Sequence, residues 1–198
     1  HTGALSGSDE VYDSLFAQCG VLRVETLEDL FRFGVAFANQ PLPRGRKVAI
    51  VTNAGGPGIM ATDIAVRHGL ELARLTPESK SLLRSKMPAT VSLDNPVDLV
   101  GDADETRYGL AMQAVVRDEN VDSVIAICVP QMLTNLQATS EMIVQQVRTS
   151  DKPVSAVYMA TGDIESSLKI LDGAKIPHYR FPEDAARALS AMTRYVNW

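Results

Sequence analysis

The chain has 198 residues, 45% hydrophobic and 22% charged, a balance typical of a folded globular protein and a length that suits one domain of common size with a smaller appendage. Its formal net charge of -5 excludes a broad nucleic-acid-binding face, because that mode needs clustered Lys and Arg to neutralise phosphates. No apolar run approaches the roughly 20 residues that span a bilayer, so the reading is of a protein with no nucleic-acid partner and no membrane partner.

Residues 8–18 place Val11, Leu15 and Phe16 on one helical face, with Ser8 as N-cap and Gly20 as a stop. VLRV (21–24) then reads as a short strand. Thr26 caps a helix running to about residue 40, with Glu28 and Asp29 in the first turn, where the helix dipole favours negative charge. The segment 40–45 carries Pro41 and Pro43, which lack amide donors, and ends in Gly45. It marks the domain boundary: residues 1–40 are expected to be the C-terminal remnant of an upstream domain, 41–45 a linker and 46–198 a second domain. There is no initiator Met, and the first residues enter directly into patterned sequence, so the chain is expected to be a truncated piece of a longer protein.

KVAIVTN (47–53) is a continuous β-branched apolar run, followed at once by AGGPG (54–58) and a helical stretch over 58–69. Strand, glycine loop and helix open an α/β unit. Further buried-strand candidates fall at 70–73, 123–130, 153–160 and 178–181, separated by helical patterns at about 76–87, 104–119, 134–150 and 164–173, with a last helix at about 183–197. Five strands alternating with helices predict a doubly wound, parallel, flavodoxin-like sheet covered on both faces. The economical strand order is 2-1-3-4-5, which makes the first strand central and opens its loop at the topological switch point.

That loop, Asn53, Ala54, Gly55, Gly56, Pro57 and Gly58, carries the sharpest chemical signal. Glycines let backbone amides approach a ligand, and a helix start offers orphan N–H groups with a positive dipole end. Phosphate or sulfate suits such a cradle; a tight turn with no ligand explains the same glycines. The loop has neither the GxxxxGK[ST] nor the GxGxxG spacing, so standard nucleotide-binding loops are excluded. Bulk at Gly56 or Gly58 is expected to crowd a bound phosphoryl group while leaving the sheet folded.

Other candidates read as structural. Asp94, Asn95, Asp98 and Asp102 crowd one stretch, but nothing supplies further metal ligands at a recognisable spacing, so turn and helix capping is the expected use. His68 and His178 have no nucleophile or metal-ligand partner in sequence. Cys19 and Cys128 lie far apart and fit a reducing cytoplasm, with Cys128 as a small buried hydrophobe. A leading His1 reads, on its own, as the remnant of a purification tag.

Three segments together change the reading of His1. HTGALSGSDEVYDSLFAQCGVLRVETLEDLF (1–31) resembles the part of NDP-forming acyl-CoA synthetases, of the ADP-forming acetate-CoA ligase type, that holds the phosphorylated histidine. KVAIVTNAGGPGIMATD (47–63) and NPVDLVGDA (95–103) resemble the next domain of those enzymes, a relative of the flavodoxin-like domain of succinyl-CoA synthetase. The resemblance covers nearly the whole chain, with the motifs in the family's order. It implies interconversion of acyl-CoA, phosphate and NDP with carboxylic acid, CoA and NTP through an acyl phosphate and a phosphohistidine. His1 would be the phosphorylated residue, and the 53–58 loop would steady its phosphoryl group.

The resemblance further implies that this chain itself binds no cofactor, while the full-length enzyme uses CoA, ADP or ATP, and Mg. The partners would be the CoA-binding and ATP-grasp domains of the same enzyme, in a cytoplasmic protein that could assemble as a homo-oligomer. Two other readings stand beside it. One is the synthetase-like regulatory region of a protein acetyltransferase, and the other is a flavodoxin-like interaction domain without catalysis.

Overall fold

The structure, a computed structural model, describes residues 8–148 and 150–198. His1 and its six successors lie outside the described residues, so the expectation placed on His1 has no structural counterpart here.

Helix α1 (Asp9–Cys19) ends at Gly20, whose φ of 68° lies in the left-handed region. A Cβ there would also fall 2.6 Å from the Trp198 ring, so conformation and packing both demand glycine. Residues 21–24 form no strand, against expectation: a strand is defined by a ladder to a neighbour, and none of the described residues supplies one. Helix α2 (Leu27–Asn39) is capped by Thr26, whose Oγ1 accepts from the Asp29 amide at 3.0 Å.

The remaining elements alternate as the sequence pattern requires. They are β1 (Lys47–Thr52), α3 (Gly55–Arg67), β2 (Glu71–Leu72), α4 (Pro77–Lys86), β3 (Val97–Asp98), α5 (Glu105–Arg117), β4 (Ser123–Cys128), α6 (Leu136–Val147), β5 (Val154–Tyr158), α7 (Glu165–Gly173), β6 (His178–Tyr179) and α8 (Pro182–Asn197). All pairings are parallel, in the order β2-β1-β4-β5-β6. This is the expected path of five strands with the first one central.

The sixth strand, β3, is an addition to that path. It pairs with β1 through Val51↔Val97 and Thr52↔Asp98, while β2 pairs through Lys47↔Glu71 and Val48↔Leu72. With β4 along the other edge of β1, two dipeptides share the remaining edge. The gap between them is filled by the side chain of Asn95. Its Oδ1 accepts from the Ile50 amide at 2.9 Å, and its Nδ2 donates to the carbonyls of Val48 at 2.7 Å and Ala73 at 3.1 Å. Asn95 thus serves the backbone, in line with the structural reading of its loop.

The strands bury both faces. Val48 and Ile50 face the layer that contains α2, α3 and α8, whereas Ala49 and Val51 face the layer of α4, α5, α6 and α7. That two-sided burial is why β1 and β4 are unbroken apolar runs. The helices that follow β1 and β4 leave in opposite directions, α3 to one face and α6 to the other, so a crevice opens between those strands at their C-terminal ends. Among the described residues, no helix is long and apolar enough to cross a membrane.

Helix α2 contributes Ala36 to the core beside α8, and Arg32 reaches Asp184 at 3.1 Å. The Gln40 amide clamps the next turn of chain to the sheet, donating to the Lys175 carbonyl at 2.6 Å and accepting from the Val154 amide at 2.7 Å.

Candidate functional site

The turn after β1 is built by Thr52. Its hydroxyl accepts from the Ala54 amide at 3.0 Å and donates to the Ala54 carbonyl at 2.9 Å, closing a side-chain turn that starts α3 at Gly55, three residues earlier than the sequence pattern suggests. Asn53 is 2% exposed. Its Nδ2 donates to the Val129 carbonyl at 2.7 Å, and its Oδ1 accepts from the Val129 amide at 2.9 Å. The side chain therefore extends the β1–β4 ladder by one rung and ties both loops of the crevice together.

The loop's amides can be accounted for one by one. That of Ala54 is taken by Thr52, and that of Gly58 is the first intrahelical donor, to the Ala54 carbonyl at 3.3 Å. Pro57 has none. Gly55 and Gly56 are the first two residues of α3, and amides at those positions have no acceptor within the helix. They point from the positive end of a 13-residue helix with no acidic residue in its first turn.

The three glycines differ in what surrounds them. A Cβ on Gly56 would meet nothing within 4 Å, so the space above it is open. One on Gly58 would lie 2.9 Å from Thr52 Cγ2 and 3.6 Å from Pro96 Cβ, so Gly58 lets α3 pack onto the sheet edge. One on Gly55 would sit 3.2 Å from Asp98 Oδ2. The expectation that Gly56 and Gly58 are equivalent probes is corrected accordingly: bulk at Gly58 collides with the protein itself.

Asp98 stands at the mouth of the loop, its other oxygen accepting from the Val100 amide at 3.0 Å. Val100 has φ of 68°, a region that costs a β-branched residue about 1–3 kcal/mol. Nearby, Arg107 donates to the Leu99 carbonyl at 2.9 Å and to Asp102 at 2.6 Å, and its bond to Asp102 holds that carboxyl below its ordinary range. Ile59 and Met60 on α3, and Met132 and Leu133 on the loop after β4, are exposed.

Thr52, Val129 and the strained Val100 were not singled out by sequence reasoning. A threonine closing an apolar strand two residues before a helix was the available signal for the first; a backbone partner and a φ value leave no mark in composition. The other titratable candidates are structural in geometry. Cys128 is fully buried, and desolvation pushes its thiol up to about 12. His68 is held below its ordinary value by burial and by the charges of Arg194, Arg187 and Arg67. His178 lies 3.1 Å from Asp172. No group of three His, Cys, Asp or Glu that could hold a metal ion occurs among the described residues.

A groove of about 550 Å³, bordered by Gln40, Arg148, Lys152 and Lys169, lies at the opposite end of the sheet. Two of its cations are committed, Lys152 to the Asp118 carbonyl and Lys169 to Glu165 at 2.7 Å. The crevice at the strand C-termini instead presents two open amides and an open Gly56.

Fold and loop together define a doubly wound α/β protein with a glycine turn at its switch point. The Ligase-CoA domain family matches residues 48–197, and the succinyl-CoA ligase like flavodoxin domain matches residues 1–37. The chain belongs to the Ligase-CoA domain family.

Among relatives, it is 39% identical to a 4-hydroxybutyrate–CoA ligase [ADP-forming] of Nitrosopumilus maritimus, over all of this chain and 28% of that protein. It is 38% identical to the alpha subunit of acetate–CoA ligase [ADP-forming] II of Pyrococcus furiosus, over 98% of this chain and 43% of that subunit. Of solved structures, the dinucleotide forming acetyl-coenzyme A synthetase 1 of Ca. Korarchaeum cryptofilum, in complex with phosphate and ADP, superposes with a TM-score of 0.91 at 29% identity, over 100% of this chain and 43% of that one. A Pyrococcus horikoshii OT3 protein gives the same TM-score at 38% identity, over 97% of this chain and 45% of that one. The chain thus spans less than half the length of these relatives.

Proposed function

We propose that this chain is a portion of an NDP-forming acyl-CoA synthetase, an acid-thiol ligase that interconverts acyl-CoA, phosphate and NDP with carboxylic acid, CoA and NTP. Within it, residues 1–40 end an upstream domain that carries the phosphorylated histidine, His1; 41–45 link; and 46–198 form the domain that steadies the phosphoryl group. The observation that carries this reading is the pair of open amides on Gly55 and Gly56 under the open space above Gly56. Relatives whose names specify ADP-forming CoA ligases support it, as does a structural neighbour solved with phosphate and ADP.

The chemistry follows from the parts. A neutral imidazole is nucleophilic near pH 7 and, once phosphorylated, retains high transfer potential. The phosphoryl dianion gains from two N–H donors and the positive end of α3, which stabilise charge without supplying a proton or a competing nucleophile. Asn53, Ala54 and Gly58 contribute by holding these amides in place: Asn53 through Val129, Ala54 as N-cap, Gly58 through close packing on Thr52. CoA, ADP or ATP, and Mg would be held by the CoA-binding and ATP-grasp domains of the complete cytoplasmic enzyme. Homo-oligomeric assembly belongs to the same reading.

The test is phosphoenzyme formation from labelled ATP in the full-length protein. His1→Ala abolishes it, and Gly56→Val slows it about a hundredfold or more by crowding the phosphoryl group, comparable to losing one such donor. Parental formation and discharge rates in a folded Gly56→Val protein would reduce the loop to a turn.

A further inference from the structure

We infer that Asp98 makes the crevice selective for phosphate over sulfate, its free carboxylate oxygen accepting the hydrogen of a P–OH group while the amides of Gly55 and Gly56 hold other oxygens of the anion. The inference deepens the proposed function and rests on its reading of the glycine loop as an anion cradle; it adds which oxyanion the cradle admits, and why.

Asp98 is held in place by backbone and side chain alike. Its register partner on β1 is Thr52, the residue that builds the glycine turn. The Asp98 carbonyl accepts from the Ser92 amide at 3.0 Å, and the next amide, that of Leu99, donates to the Thr52 carbonyl at 2.7 Å. The carboxylate is oriented by Oδ1, which accepts from the Val100 amide at 3.0 Å in a turn that keeps Val100 at φ of 68°. Oδ2 then lies 3.2 Å from the point that a Cβ on Gly55 would occupy, so it stands beside the first open amide of α3.

This second oxygen is what the turn does not explain. An asparagine closes the same turn with its one side-chain oxygen, whereas aspartate adds a further acceptor and a negative charge. Among the described residues, Oδ2 has no hydrogen-bond donor, and the guanidinium of Arg107 is taken by Asp102 and the Leu99 carbonyl. Helix α3 has no acidic residue in its own first turn, so the acceptor next to its open amides is the one delivered from β3.

Two donors and one acceptor sort oxyanions by their protons. Sulfate near neutral pH carries no hydrogen and meets a carboxylate oxygen lone pair to lone pair, which is repulsive. Phosphate keeps at least one hydroxyl under the same conditions, and an O–H donated to a carboxylate makes a short, charge-assisted bond. The two ions are close in size and shape, so this contact separates them where fit does not. A carboxylate that served only the positive end of α3 would repel both alike.

Titration of this chain with sodium phosphate and with sodium sulfate, at neutral pH and constant ionic strength, tests the inference through the amide NMR signals of Gly55 and Gly56. Phosphate should bind about ten- to a hundredfold more tightly than sulfate, the range that one hydrogen bond to a charged group supplies. Asp98→Asn keeps the oxygen that accepts from Val100 and should bring the two affinities close to equality, in part by strengthening sulfate. Asp102→Asn removes a carboxylate from the same loop and should leave the preference intact. Equal affinities in the parent chain, a preference that survives Asp98→Asn, or one lost equally in Asp102→Asn overturns the inference and leaves the cradle standing. If neither anion moves the signals of Gly55 and Gly56, the cradle itself fails, and the inference falls with it.

Discussion

The side-chain amide of Asn53 grips both polar backbone groups of Val129, donating at 2.7 Å and accepting at 2.9 Å. The two residues stand at the ends of adjacent central strands whose following helices diverge, so this one pair holds the crevice at a defined width. Replacing Asn53 with Ala leaves the part-buried N–H and carbonyl of Val129 unpaired. The expected loss is ~1–3 kcal/mol of unfolding free energy in urea, and a loss below about 0.5 kcal/mol would mean that the bridge is redundant.

Gly56 and Gly58 separate site from scaffold. Gly58→Val drives a side chain against Thr52, 2.9 Å from the first added carbon, and should destabilise this chain by about 1–3 kcal/mol. Gly56→Val meets open space and should change stability by less than about 1 kcal/mol, while impairing phosphoryl transfer in the complete enzyme. Equal melting temperatures for the two variants would contradict the packing described here.

Asn95 makes three bonds to backbone in the gap between β2 and β3. Asn95→Ala strands the Ile50 amide and the Ala73 carbonyl, whereas the Val48 carbonyl keeps the Ala73 amide at 2.9 Å. Chemical denaturation should show a loss of roughly 2–3 kcal/mol, because two backbone groups lose their partner at once. Asn95→Asp, which turns a carboxylate oxygen toward the Val48 and Ala73 carbonyls where the amide donated, should be at least as destabilising as Asn95→Ala at pH 7.

Asp118 gives the chain an acid-sensitive contact. Burial opposes its ionisation, but hydrogen bonds from Ser79, from the amides of Thr76 and Asn120, and from the Thr76 hydroxyl outweigh that and hold its carboxyl below the ordinary 3.8. A depressed folded-state value contributes stability that is present above the unfolded value and lost as pH falls through the folded one. Asp118→Asn should therefore be less stable than the parent at pH 7, with the gap closing below about pH 4. Melting curves from pH 7 to 2.5 that stay parallel for the two proteins would refute this assignment.

The chain alone should have no ligase activity. It is expected to consume no ATP in the presence of acetate and CoA, because the proposed function gives nucleotide and CoA binding to other domains of the complete enzyme. Acid- and CoA-dependent ADP release by the purified chain would contradict the division of labour proposed above.

The order of elements from Lys47 onward was legible in the sequence for a physical reason: strands buried on both faces must be apolar throughout, and a parallel sheet must return through helices. Both constraints write themselves into the chain locally, so β1, β4, β5 and their crossovers, the central place of β1 and the glycine turn at its end all followed from pattern. The tertiary structure decided what depends on a second segment. Val97–Asp98 is a strand because β1 has a free edge there, and VLRV forms none because no neighbour among the described residues reaches it. Likewise the glycine loop announced amides in general, but only the folded chain shows Thr52 taking Ala54, the helix taking Gly58 and Val129 taking Asn53, leaving Gly55 and Gly56. A hydrogen bond belongs to two partners, and the sequence writes down one at a time.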